Sequence, residues 1–158
     1  MATLKAVGCI CLSVLLYDCC YAQDSDSWRA HEVMRLGHCN TAATIDVNED
    51  GLRDVIASSS GRVSLFIAPD WNEEIVLQSF SKPSQSCIHS TTIDADGDGD
   101  LDWVGALAHD HPFWLENPGP KHFSRSAWKA SPIDNEITGI HCILKTDVDR
   151  DGHDDLVI

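Results

Sequence analysis

Three nine-residue segments of this 158-residue chain align without a gap, and their recurrence constrains the fold more than any other feature. They run from Asp46 to Asp54 (DVNEDGLRD), from Asp94 to Asp102 (DADGDGDLD) and from Asp147 to Asp155 (DVDRDGHDD), each with the form D-x-D/N-x-D-G-x-x-D. Their first residues stand 48 and then 53 positions apart, a period near fifty. Self-similarity at a fixed period marks a repeat architecture, in which each repeat is one supersecondary unit that buries its apolar face only against its neighbours.

The flanks repeat with the loops. A short β-prone stretch precedes each: Ala43 to Ile45, Thr91 to Ile93, and Ile143 to Thr146. An apolar strand follows each: Val55 to Ala57, Trp103 to Leu107, and Leu156 to Ile158. The two full repeats continue into a third strand, near Val63 to Ile67 and Phe113 to Leu115, and then into a Pro/Asn/Gly turn. A fourth strand is expected near a tryptophan. Trp28 to Val33 (WRAHEV) matches Trp128 to Ile133 (WKASPI), and Trp71 stands at the equivalent place with a looser match. No window of helical period competes, so the expected class is all-β. Four short strands per fifty residues are the pattern of a β-propeller blade. The repeats fall around 38–79, 87–133 and 141–158, about two and a half blades, with an acidic loop between the first and second strands of each. A β-sandwich carrying three such loops is the competing architecture, but it does not explain the fixed order of loop, strand and tryptophan.

The loops suit calcium, which takes six to eight hard oxygen ligands. Asp or Asn at positions 1, 3 and 5 can converge on one point as the backbone curls, and Gly at position 6 permits the sharp bend. Position 7 offers a carbonyl and position 9 a further carboxylate. The candidate ligands are Asp46, Asn48, Asp50, the Leu52 carbonyl and Asp54 in the first loop. The second offers Asp94, Asp96, Asp98, the Asp100 carbonyl and Asp102; the third offers Asp147, Asp149, Asp151, the His153 carbonyl and Asp155. Position 12 is Ala57, Gly105 and Ile158, so the bidentate Glu of an EF-hand is missing. Magnesium usually retains several waters and suits these all-protein loops less well. In the first loop Asn48 lowers the charge and Arg53 sits among the ligands.

The strand–loop–strand unit at this period resembles the FG-GAP and VCBS repeats of secreted and cell-surface β-propellers, and integrin α-subunit heads contain related calcium loops. The segment Phe113 to Gly119 (FWLENPG) is similar to a W-x-E-N-P-G strand and turn in many bacterial members. The resemblance spans most of residues 28–158 and implies a propeller fold and up to three calcium ions. It carries over no ligand-binding residue beyond the metal ligands. Because a propeller closes with roughly four to eight blades, the chain is expected to be the N-terminal portion of a longer propeller, with Trp28 to Val33 completing its last blade.

Residues 1–22 read as a signal peptide. Lys5 supplies the positive charge, Ala6 to Tyr17 form an apolar run too short to span a bilayer, and Cys20 and Ala22 are small residues before a cut. The mature chain is therefore expected to be secreted, periplasmic or on the cell surface, with no transmembrane segment. Four of seven cysteines leave with the signal, and Cys39, Cys87 and Cys142 do not form a disulfide framework.

A net charge of −14 argues against nucleic acid as a partner. The charge is concentrated, since the three loops hold fourteen of the 25 acids and two of the 11 bases. The balance therefore describes the candidate cation sites more than the surface that meets a partner. His109, Asp110, His111 and Glu116 form the one cluster resembling an acid–base or transition-metal site, at a turn where polar residues collect anyway. Cys39, Cys87 and Cys142 each lie near a histidine (His38, His89, His141), and three repeated copies argue for structure over a nucleophile. Trp103 and Trp114 are the tryptophans with the best prospect of exposure as sugar-stacking platforms. The expected function is a non-catalytic, calcium-stabilised binding or adhesion module with an extracellular protein or glycan ligand. The alternative is an accessory or catalytic propeller of a secreted polysaccharide lyase or hydrolase.

Overall fold

The computed structural model describes residues 29–122 and 125–158. The expected signal peptide and Trp28 lie outside them. Ten strands and no helix occur among the described residues: β1 (Cys39–Ile45), β2 (Asp54–Ser59), β3 (Arg62–Phe66), β4 (Ile75–Ser79), β5 (Cys87–Ile93), β6 (Asp102–Leu107), β7 (Pro112–Glu116), β8 (Lys129–Pro132), β9 (Leu144–Thr146) and β10 (Asp155–Val157). They form two four-stranded sheets in sequential order, β1-β2-β3-β4 and β5-β6-β7-β8, and a two-stranded pair, β9-β10. Every pairing is antiparallel. All strands fall within one unit, Val33–Ile158. The fold is all-β, about two and a half blades of a propeller, with each acidic loop between the first and second strands of its blade.

Apart from Asp102, the middle strand β6 is apolar on both faces because the first blade packs on one side and β9-β10 on the other, which removes the alternation a half-exposed strand shows; β2 is largely buried too but carries Asp54, Ser58 and Ser59. Twelve buried residues, among them Ile45, Leu65, Leu77, Trp103 and Trp128, form the core between the first two blades. A smaller cluster of five, Ile93, Val104, Ala106, Ile140 and Ile143, joins the second blade to β9-β10. Backbone bonds stitch the first junction as well: Trp128 N donates to Leu77 O (3.1 Å) and Gly61 N to Gln85 O (2.8 Å). The buried Cys87 N donates to Ser58 Oγ at 2.8 Å.

The tryptophan expectations need correction. Trp128 directly precedes β8 and is 5% exposed, but Trp71 is not its equivalent, since β4 begins only at Ile75. Trp71 sits in a left-handed turn (φ 49°), and its indole N–H donates to Arg53 O at 3.2 Å. Trp103 is fully buried, so it offers no platform to a sugar. On β6 the first blade lies to one side and β9-β10 to the other, and that leaves no open face. Trp114 is half-buried against the smaller cluster. Residues 29–33 form no strand. A fourth-position strand needs a third strand to pair with, and β3 and β7 already hold β4 and β8.

Candidate metal centre

One hydrogen-bond pattern builds all three loops. The position-6 amide donates to the first Asp: Gly51 N to Asp46 Oδ2 (3.0 Å), Gly99 N to Asp94 Oδ2 (3.1 Å) and Gly152 N to Asp147 Oδ2 (3.1 Å). The position-5 amide donates to the third residue: Asp50 N to Asn48 Oδ1 (3.2 Å), Asp98 N to Asp96 Oδ1 (3.2 Å) and Asp151 N to Asp149 Oδ1 (3.1 Å). The position-7 amide donates to the fifth Asp: Leu52 N to Asp50 Oδ1 (2.8 Å), Asp100 N to Asp98 Oδ1 (2.9 Å) and His153 N to Asp151 Oδ1 (2.9 Å). Each side chain thus folds back onto an amide of its own loop, the local preference that makes Asp and Asn turn residues. Two left-handed residues close the curl. Position 6 is glycine in every loop, with φ between 84° and 97°. Position 4 is left-handed too, as Glu49 (57°), Gly97 (79°) and Arg150 (65°), which the sequence pattern did not single out.

The ninth residue works differently. Asp54 is fully buried and Asp102 is 1% exposed, and each carboxylate bridges two backbone segments. Asp54 accepts from Val47 N (3.0 Å) and, beyond β3, from Ala68 N (2.8 Å). Asp102 accepts from Ala95 N (2.9 Å) and, beyond β7, from Asn117 N (2.7 Å). Asp155 makes the corresponding loop bond with Val148 N (2.8 Å). Burial pushes the Asp102 carboxyl up to about 6 against the pull of its two amides, and burial raises Asp54 in the same way. Asp100 is also raised, first by desolvation and then by repulsion from Asp98, Glu49, Asp94 and Asp96. A crowd of oxygens that disfavour one another's charge is a donor set that suits a hard cation.

Convergence differs between loops. Asp94, Asp96 and Asp102 each bring one carboxylate oxygen within 4.8 Å of the others, and so do Asp147, Asp149 and Asp151. Asp98 and Asp155 stand outside these two groups. Among the described residues, Asp46, Asp50 and Asp54 form no such group. There Asn48 Nδ2 donates to Asp50 Oδ2 at 3.0 Å, so a donor stands where the other loops place a carboxylate. The three-carboxylate clusters fit a hard divalent ion held by oxygen, and the first loop fits one less well.

The other candidates do not assemble. Glu116 is paired with Lys129 (Nζ–Oε2 2.6 Å), and the His111 ring nitrogen Nδ1 faces Ile137 O at 3.0 Å. His109, Asp110, His111 and Glu116 therefore do not converge on one point. Cys39, Cys87 and Cys142 are free thiols; burial pushes the Cys87 thiol up to about 12, which removes thiolate character near neutral pH. No helix among the described residues is long and apolar enough to cross a membrane.

Comparison with known proteins bears on the repeat. A family model described as an FG-GAP-like repeat matches residues 46–105 and again residues 94–158. No curated protein and no solved structure matches the chain.

Proposed function

Because the chain belongs to the FG-GAP-like repeat family, we propose that it is an exported, calcium-stabilised binding or adhesion module without a catalytic centre of its own. The observation that carries this reading is the pair of three-carboxylate clusters, Asp94/Asp96/Asp102 and Asp147/Asp149/Asp151. The second loop would hold its ion with those three carboxylates, assisted by Asp98 and the Asp100 carbonyl. The third would use Asp147, Asp149 and Asp151 with the His153 carbonyl and Asp155. The first loop, with Asp46, Asn48, Asp50, the Leu52 carbonyl and Asp54, would be the weakest. The ion supplies charge neutralisation: it lets several carboxylates share one turn, and so fixes the turn that joins the first and second strands of a blade.

The blade faces would then be a rigid platform for an extracellular protein or glycan. Export rests on the N-terminal apolar run, and binding is favoured over acid–base chemistry by the engagement of Glu116 with Lys129 and of the His111 ring with Ile137 O. Thermal unfolding in millimolar calcium and in EDTA tests the metal. The expected outcome is a loss of about 0.4–1.4 kcal/mol per occupied site when about 1 mM calcium is chelated, for dissociation constants of about 10⁻⁴–10⁻³ M, the range of extracellular modules. Equal melting temperatures in the two buffers would remove calcium from the reading. A glycan-array scan run beside polysaccharide depolymerisation assays separates binding from catalysis, and product release dependent on residues of this chain would establish the enzyme instead.

A further inference from the structure

Thr41 and His89 occupy the same place in successive blades. Each follows a register shift near the start of an innermost strand, between Cys39 and Thr41 on β1 and between Cys87 and His89 on β5, and each then pairs with the second strand, Thr41 with Ser58 and His89 with Ala106. A bulge re-aims the residue beside it. Both residues reach across to the next repeat, one position beyond their own equivalent there. Thr41 Oγ1 lies 2.8 Å from Ser90 Oγ, and Ile143 N donates to His89 Nδ1 at 3.1 Å. The same register position thus carries a hydroxyl at the first junction and an imidazole at the second.

An imidazole nitrogen that accepts an N–H must hold its lone pair, so His89 is neutral here with its proton on Nε2. Protonation puts one N–H against another and turns the bond into a repulsion. Histidine is the side chain whose charge ordinarily changes between pH 5 and 8. Among the described residues, no histidine stands in the polar links of the first junction, which include Thr41 with Ser90, Asn40 Nδ2 to Ser86 Oγ, Cys87 N to Ser58 Oγ, Trp128 N to Leu77 O and the exposed ion pair of Arg125 with Glu73. The second junction also has the smaller apolar cluster, five buried residues against twelve, so a single bond weighs more there. The titratable side chains on the elements packed against β5 are Cys39 on β1, Asp54 on β2, Asp102 on β6 and Lys145 on β9, with His141 and Cys142 leading into Ile143. Asp54 and Asp102 are bonded to loop and turn amides at the opposite strand ends, and Lys145 is paired with Asp154.

We propose that His89 is an acid-released catch that holds β9-β10 against the second blade while its imidazole is neutral. Acid loosens this junction and spares the first. The test is hydrogen exchange of the full chain in saturating calcium at pH 7.5 and pH 5, corrected for intrinsic exchange. Protection of the Ile143 amide is expected to fall roughly two- to twelvefold at the lower pH, the range one hydrogen bond supports, while Trp128 and Cys87 keep theirs. In His89→Asn, which offers an acceptor oxygen that does not titrate, the acid-dependent loss should vanish. Persistence of the loss in that variant, or unchanged protection in the native chain, overturns the proposal. Should the variant not fold, NMR titration of the native chain decides: the Ile143 amide shift must follow the His89 ring, and an amide that ignores it refutes the catch.

Discussion

Glycine matters in this chain at two places for different reasons. Gly97 adopts φ +79° with open space around the position a Cβ would occupy, so Gly97→Ala meets strain in the backbone alone. A loss of about 1 kcal/mol is expected, the scale of a left-handed non-glycine residue. Gly105, on β6, has an ordinary φ, but a Cβ there runs into the ring of Trp103. The ring is buried in the core between blades and cannot swing to solvent. Gly105→Ala is therefore expected to cost more, roughly 1–3 kcal/mol as an overpacked site. Denaturant unfolding of the two variants side by side checks the order, and a larger loss for Gly97→Ala would contradict it. The same comparison shows what the sequence could carry. Position 6 of the loops announced its left-handed turn by being glycine three times. Position 4 did not, because Glu49 and Arg150 adopt that conformation under the constraint of loop bonds that no local pattern displays.

Strands and loops are held by carboxylates whose partners lie at very different ranges. Glu74, in the approach to β4, accepts from Arg62 Nε (2.5 Å), Arg62 Nη2 (3.0 Å) and Ser64 Oγ (2.6 Å). The Arg62 bond holds its carboxyl below the usual range of 4.5. A carboxyl lowered by folding adds stability above its unfolded value and loses that contribution as pH falls through the folded one. Glu74→Gln is thus expected to cost about 1 kcal/mol at pH 7 and progressively less as the pH falls through the lowered value of the carboxyl, measured by chemical denaturation; a pH-independent cost would argue against the ion pair. Asp102 is the longer-range case. Asp102→Asn places an amide donor against the amide of Ala95 or Asn117 in a buried site, for an expected loss of roughly 1–3 kcal/mol. The loss should appear even in EDTA, which distinguishes this bridging role from that of a ligand alone. The loop curls were legible because their bonds span a few residues. The bridge from Asp102 to Asn117 was not, because it depends on where β7 ends. Trp103 misled for a related reason: an aromatic residue on a middle strand looks alike in sequence whether or not a second blade covers it.

At the scale of the whole molecule, the repeat fixed the architecture, since the period, the order of strands and the position of each loop all followed from three aligned segments. The same pattern overstated the likeness of the loops. Asn48 changes one of five ligand positions, and its loop gathers no three-carboxylate group. Calcium titration by calorimetry is accordingly expected to resolve two tighter sites and a weaker third. Asp96→Asn or Asp149→Asn should remove more of the calcium-dependent rise in melting temperature than Asp46→Asn does. Equal losses from all three would mean that the first loop rearranges to match its neighbours.

Asp54 and Asp102 each tie an amide inside the loop to an amide that arrives only after the third strand has been laid down. In the first two blades one carboxylate thus holds both the loop and the chain leaving the third strand, whereas the third loop keeps the same curl with only the tie from Asp155 to Val148 N. An ion held in either of the first two loops would be coupled through that carboxylate to the far end of β3 or β7, so chelation is expected to reduce the exchange protection of the Ala68 and Asn117 amides along with those of the loop.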